Sequence, residues 1–315
     1  RTSMETAGDT LSADLRAVSR QFRTVFDVLL DAITDVQGGR DDSAKDRIAD
    51  TSDQDITATR LGKVAGCRNA GAIDGDRNVG GIAGAVSVEL GLDPEDDLEL
   101  SLGGTYETKA VLQDCKNEGS VTAKKDCAGG LAGRMDLGAA VGGENYGAVE
   151  STSGSYVGGI AGFSEGTIRQ SYVKCTLSGG SDIGGIAGWA GSLRDCCSIV
   201  TVREGTERVG AIAGSGDRNG MQNNRFLNTG TAGIDGVSYA GIAEPIAFDA
   251  LRQLPGIPDA LAAFTLTLLA DGKTVDEIPF AYGEDLSRIV LPEVPEKAGC
   301  YGSWPAFSVT ALDSD

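Results

Sequence analysis

From residue 59 to residue 244, apolar and glycine positions return in a fixed order. The phrase Val79-Gly80-Gly81-Ile82-Ala83-Gly84 recurs as Gly129-Gly130-Leu131-Ala132-Gly133, Val157-Gly158-Gly159-Ile160-Ala161-Gly162 and Ile183-Gly184-Gly185-Ile186-Ala187-Gly188. Val209-Gly210-Ala211-Ile212-Ala213-Gly214 is a weaker copy, and Tyr239-Ala240-Gly241-Ile242-Ala243 a worn one. The central Ile or Leu residues lie 49, 29, 26, 26 and 30 positions apart, the first interval being lengthened by an insert over 86–110. A second phrase precedes each of these. Cys67-Arg68-Asn69-Ala70-Gly71-Ala72-Ile73 matches Cys115-Lys116-Asn117-Glu118-Gly119-Ser120-Val121, and Gly143–Val149 and Cys196–Val202 keep parts of it. Each repeat therefore predicts a short strand, a glycine turn, a second strand and a variable turn.

A ring of about 26 residues cannot bury its own apolar face, so such rings stack at a strand spacing of about 4.8 Å and bury one another. The expected fold class is mainly β, a parallel β-solenoid (β-helix) of about six coils over 59–244. Equivalent positions then lie above each other. Ile82, Leu131, Ile160, Ile186 and Ile212 are expected to form a buried ladder. Gly80, Gly81, Gly129, Gly130, Gly158, Gly159, Gly184 and Gly185 are expected at tight corners, where a Cβ would clash or φ must be positive. The 10–15-residue helices that alternate with strands in a doubly wound sheet are absent.

The flanks read differently. Leu11, Leu15, Val18, Phe22, Val25, Leu29 and Val36 recur at gaps of four and three, with Ala32 filling the missing step. This predicts an amphipathic helix over 9–37, stopped by Gly38-Gly39. Its apolar face either packs on the open end of the solenoid or continues as a coiled coil and mediates self-association. The polar run 40–58 reads as solvated linker, so that 1–58 forms one N-terminal region. Residues 245–315 form a third region. There a helical stretch near Phe248–Leu254 precedes an alternating strand at Phe264–Leu268, an Asp271-Gly272 turn and an answering strand at Val275–Phe280.

The glycine phrases resemble the GLUG-motif family, whose repeats occur in large bacterial surface proteins, generally outside any catalytic domain. The C-terminal order of strand, Tyr282-Gly283, Pro292-Glu293-Val294-Pro295, Tyr301 and Trp304 resembles the Listeria–Bacteroides repeat, a small β-grasp-like module of surface proteins. Together these resemblances imply an extracellular, cell-surface setting and imply no reaction.

Charge and chemistry narrow the function. A net charge of −19 without clustered Lys or Arg argues against nucleic acid and against anionic membrane surfaces. No apolar run approaches the roughly 18 residues of a membrane span. The chain opens on the polar stretch Arg1–Thr10 and reads as a fragment or mature piece. The absence of histidine removes Ser-His-Asp and Cys-His machinery and the commonest zinc ligand. No glycine loop carries the Lys of a phosphate-binding motif. No catalytic residue, cofactor or metal site is therefore expected.

Of the seven cysteines, Cys67, Cys115 and Cys196 share one repeat position and are expected to pack as a buried column. Cys127, Cys175 and Cys197 are left as candidates for one bridge. Asp93-Pro94-Glu95-Asp96-Asp97-Leu98-Glu99, inside the insert, is read as a solvated excursion, with Ca²⁺ binding as the sharper alternative. Two function classes stay open. The first is a non-enzymatic surface scaffold or adhesin that presents Tyr146, Tyr156 and Trp189 to an unknown protein or glycan. The second is a carbohydrate-active β-helix enzyme using carboxylates such as Glu144, Glu150, Glu165, Asp182 and Asp195, with Phe163 as a further aromatic platform.

Overall fold

The computed structural model describes residues 48–88, 106–306 and 311–312. The chain is mainly β, with two single-turn α-helices among the described residues, Phe248–Leu251 and Asp259–Ala262. Its contacts define two units. The smaller takes in 1–50 and 89–108, and its described part is the parallel strand pair Ile48–Asp50 and Tyr106–Thr108. The larger, 51–88 and 109–315, holds the solenoid. The helix expected over 9–37 and the acidic run 93–99 lie outside the described residues.

The solenoid has three parallel sheets. The first contains Arg68–Asn69, Lys116–Asn117, Glu144–Asn145, Tyr172–Ser178, Cys197–Glu204, Asn224–Leu227 and Ala243–Ile246. The second stacks Val79–Gly80, Ala128–Gly129, Val157–Gly158, Ser181–Gly184 and Glu207–Gly210. The third includes Ala83–Val86, Ala132–Met135, Ala161–Arg169, Ala187–Arg194 and Ala213–Gly216. Five strands in the second sheet leave four steps between its ends, so the solenoid makes about four turns. The worn phrase at 239–243 closes on itself in an antiparallel Tyr239↔Ala243 bridge.

Two columns of left-handed residues turn the chain between sheets. Before the second sheet stand Asn78, Cys127, Tyr156, Asp182 and Arg208, with φ of 52, 67, 63, 52 and 51°. Before the first sheet stand Gly66, Asp114, Gly142, Gln170, Asp195 and Asn223, with φ of 63, 50, 64, 50, 55 and 56°. The paired glycines are not in this region, so their reason is close approach. A Cβ on Gly158 would collide with the Ala161 carbonyl oxygen, and one on Gly159 with that of Gly185 in the next coil.

Leu131, Ile160, Ile186 and Ile212 are fully buried, whereas Ile82, at the end of the stack, is half-buried. These residues sit at the bend between the second and third sheets, outside the assigned strands. The Ile82 amide donates to Leu131 O (3.0 Å), Leu131 to Ile160 O (2.9 Å), Ile160 to Ile186 O (2.8 Å) and Ile186 to Ile212 O (2.8 Å). An asparagine ladder runs beside them. Asn69 Nδ2 donates to Asn117 Oδ1 (2.8 Å), and Asn117 Nδ2 to Asn145 Oδ1 (2.7 Å). It ends where Val173 follows Asn145 in register.

Residues 51–58, expected as solvated linker, instead pack on the solenoid. Ile56 joins Val111, Ala139 and Val141 in a small buried cluster, and Ser52 Oγ accepts from the Ala110 amide (2.8 Å). Asp53 reaches Arg169 (2.7 Å) and Arg194 (3.9 Å) on successive coils. At the other end, Phe264–Ala270 and Lys273–Phe280 form an antiparallel hairpin turned by Asp271 and Gly272, whose φ are 50 and 74°. This segment covers the outer face of the first sheet. Leu251, Leu261, Phe264, Phe280 and Leu286 pack with Cys197, Ile199 and Leu227. Lys174 Nζ fastens it by donating to Ala263 O (2.6 Å).

Candidate functional site

A regular column of outward-facing side chains lies on the third sheet. Arg134, Phe163, Trp189 and Ser215 occupy one register column, one residue per coil. They point outward between buried neighbours on the same strands. The Phe163 and Trp189 rings stack with centroids 4.8 Å apart and planes within 14°. That distance matches the strand spacing of about 4.8 Å, so the backbone sets the stack. The Arg134 guanidinium lies 4.6 Å from the Phe163 centroid and covers its other face. Tyr156 meets Phe163 edge-on at 5.6 Å. A bulky aromatic residue with φ of 63° is uncommon, and the corner column imposes it here.

Cys127, Tyr156, Asp182 and Arg208 each stand seven positions before a residue of this strip, and the two columns touch. Asp182 is the clearest case. Arg208 donates to it twice, Nε to Oδ1 and Nη2 to Oδ2, both at 2.7 Å. Ser215 Oγ donates at 2.5 Å and Ser181 Oγ at 3.0 Å. Burial alone would raise the Asp182 pKa. The Arg208, Ser215 and Ser181 hydrogen bonds outweigh it and hold the carboxyl below its ordinary value. Asp182 is thus a saturated clasp between coils.

Tyr156 and Trp189 come together through Phe163, but Tyr146 does not join them. It lies beside the first sheet, donates to Glu144 (2.8 Å) and lies under Lys116 Nζ (4.8 Å to its ring centroid). Burial and the Glu144 carboxylate push its phenol well above the usual range. The five candidate carboxylates are dispersed. Glu144 and Glu150 belong to first-sheet strands, Glu165 to the third and Asp182 to the second, while Asp195 occupies a corner.

Cys67, Cys115 and Cys196 do share a column, interrupted by Gly143 and Ser171 and followed by Asn224. Cys67 is exposed because it ends the stack. Cys127, Cys175 and Cys197 are free thiols on a corner, a strand and a neighbouring strand, with no bridge among them. Among the described residues no cluster of three or more metal-ligating side chains exists. Nor is any described helix long and apolar enough to cross a membrane.

Sequence reasoning missed Arg134 as part of the strip. Its signal was a position two residues after Ala132, equivalent to Phe163 after Ala161 and Trp189 after Ala187. No family model matches the chain, and neither a curated protein nor a solved structure matches it.

Proposed function

We propose that the chain is a non-enzymatic scaffold or adhesion fragment of a bacterial cell surface, presenting a solenoid face to a protein or glycan. The observation that carries this reading is the strip Arg134, Phe163 and Trp189 with Tyr156 at its edge. Rings already fixed by stacking lose little conformational freedom when a partner covers them, which is how rigid aromatic side chains anchor binding surfaces. The resemblance to GLUG repeats points the same way. In this reading the partial turn at 221–246 counts as the sixth coil. The helix 9–37 caps one end or self-associates, and 245–315 is a small β-grasp-like module.

Glycan and matrix-protein arrays probed with the wild type, Phe163→Ala and Trp189→Ala test it. Binding should fall at least about tenfold in each variant, the scale of a lost aromatic anchor. Uronic-acid polymers, neutral glycans and peptides should yield no products, with or without Ca²⁺. Product formation that is lost on changing Glu144, Glu150 or Asp182 to the amide would replace this reading with the carbohydrate-active enzyme.

A further inference from the structure

The C-terminal segment leaves a second site, unrelated to the strip. Where it crosses the first sheet, residues 254–257 roof a cleft of about 300 Å³ whose floor includes Tyr172, Asp195, Asn223 and Arg225. That volume falls at the small end of the range for small-molecule sites, about 300–1,000 Å³, and a seam between two packed substructures is where such sites are commonly found. We propose that this cleft binds a neutral saccharide of one or two rings.

The polar groups determine the class of ligand. Asp195 uses one carboxylate oxygen on the Asn223 amide (2.5 Å), which leaves Oδ2 to accept. Gln170, also at the cleft, accepts from Arg169 through Oε1 (3.2 Å) and keeps its amide NH₂ to donate. The Tyr172 hydroxyl is engaged by no protein group among the described residues and is able both to donate and to accept. It abuts the roof, where a Cβ on Gly256 would lie 3.6 Å from it. Arg225 is already neutralised by Glu244 (2.9 Å), so the cleft offers no free cation to an anionic ligand. Neighbouring acceptor, donor and dual groups match adjacent sugar hydroxyls, and Leu254, Pro255 and Ile257 provide an apolar wall for the C–H face of a ring.

Saturation-transfer NMR and calorimetry with maltose, cellobiose and lactose test the proposal, with glucuronate and ethanolamine as charged comparators. At least one neutral sugar should bind in preference to both comparators. Asp195→Ala and Tyr172→Phe should each weaken it about tenfold or more, as expected for a lost hydrogen bond to a charged or buried group. Unchanged circular dichroism and melting temperature in both cleft variants would separate lost contacts from lost folding. The proposal is overturned if no neutral sugar binds, if a charged comparator binds better, or if folded Asp195→Ala and Tyr172→Phe proteins retain wild-type affinity.

Discussion

Asp182 shows how a corner residue acquires a role that its type alone does not reveal. Its carboxylate is almost fully enclosed (side chain 4% exposed) and holds Arg208 and Ser215 of the next coil. Because its folded pKa lies below the ordinary 3.8, its charged form stabilises the fold fully above that value. The contribution is lost as pH falls through the lowered folded pKa. Asp182→Asn should therefore cost about 1–3 kcal/mol at pH 7. Denaturant titrations from pH 7 to pH 2 should show the gap to wild type closing below about pH 4. A gap that stays constant to pH 2 would mean that the charge contributes nothing. This role was not legible in the sequence. Asn78, Cys127, Tyr156, Asp182 and Arg208 share a backbone conformation and no side-chain chemistry, so the column has no residue signature. The asparagines were visible as a repeated letter. Their joining into a ladder required the register of the folded coils.

At the scale of the coil, the glycine phrase was legible because close packing tolerates no substitute. A Cβ on Gly158 would strike the Ala161 carbonyl and approach the Ala187 backbone, so neither neighbour has a flexible side chain to move aside. Gly158→Ala should destabilise the protein by about 2 kcal/mol or more, the scale of overpacking a rigid site. Gly71→Ala is the control. Its Cβ would meet only Asn69 Oδ1 at 3.8 Å, and the change should stay within about 0.5 kcal/mol. Equal losses in the two variants, measured by urea titration, would rule out the close-approach explanation. Ala211 stands where earlier coils have the second glycine, so the phrase relaxes at the fifth copy. The linker at 51–58 misled because its composition is polar. One apolar residue, Ile56, and the well-placed Ser52 and Asp53 suffice to bind it to the third sheet.

For the whole larger unit, the C-terminal segment decides which solenoid face is available to a partner. The outer side of the first sheet carries Cys197, Ile199 and Leu227, which would form an exposed apolar patch if uncovered. In the intact chain Cys197 is 2% exposed, and burial pushes its thiol up to about 12. Thiolate, the reactive form, is therefore scarce and shielded. Under native conditions the exposed Cys67 and Cys300 should react rapidly with a disulfide reagent, whereas Cys115, Cys127, Cys196 and Cys197 should not. Removing residues 247–315 keeps the strand Ala243–Ile246 and the coils beneath it while stripping the cover from Cys197. The truncated protein, which loses the rapidly labelled Cys300 with the segment, should retain its β circular dichroism, bind a hydrophobic dye, and show Cys197 as a newly rapid thiol, identified by peptide mapping. Cys196 points to the solenoid interior, within its main apolar cluster, and should remain protected in the same sample. Labelling of both residues together would indicate that the coils had opened. Labelling of neither would mean that the solenoid shields its outer face without the C-terminal segment.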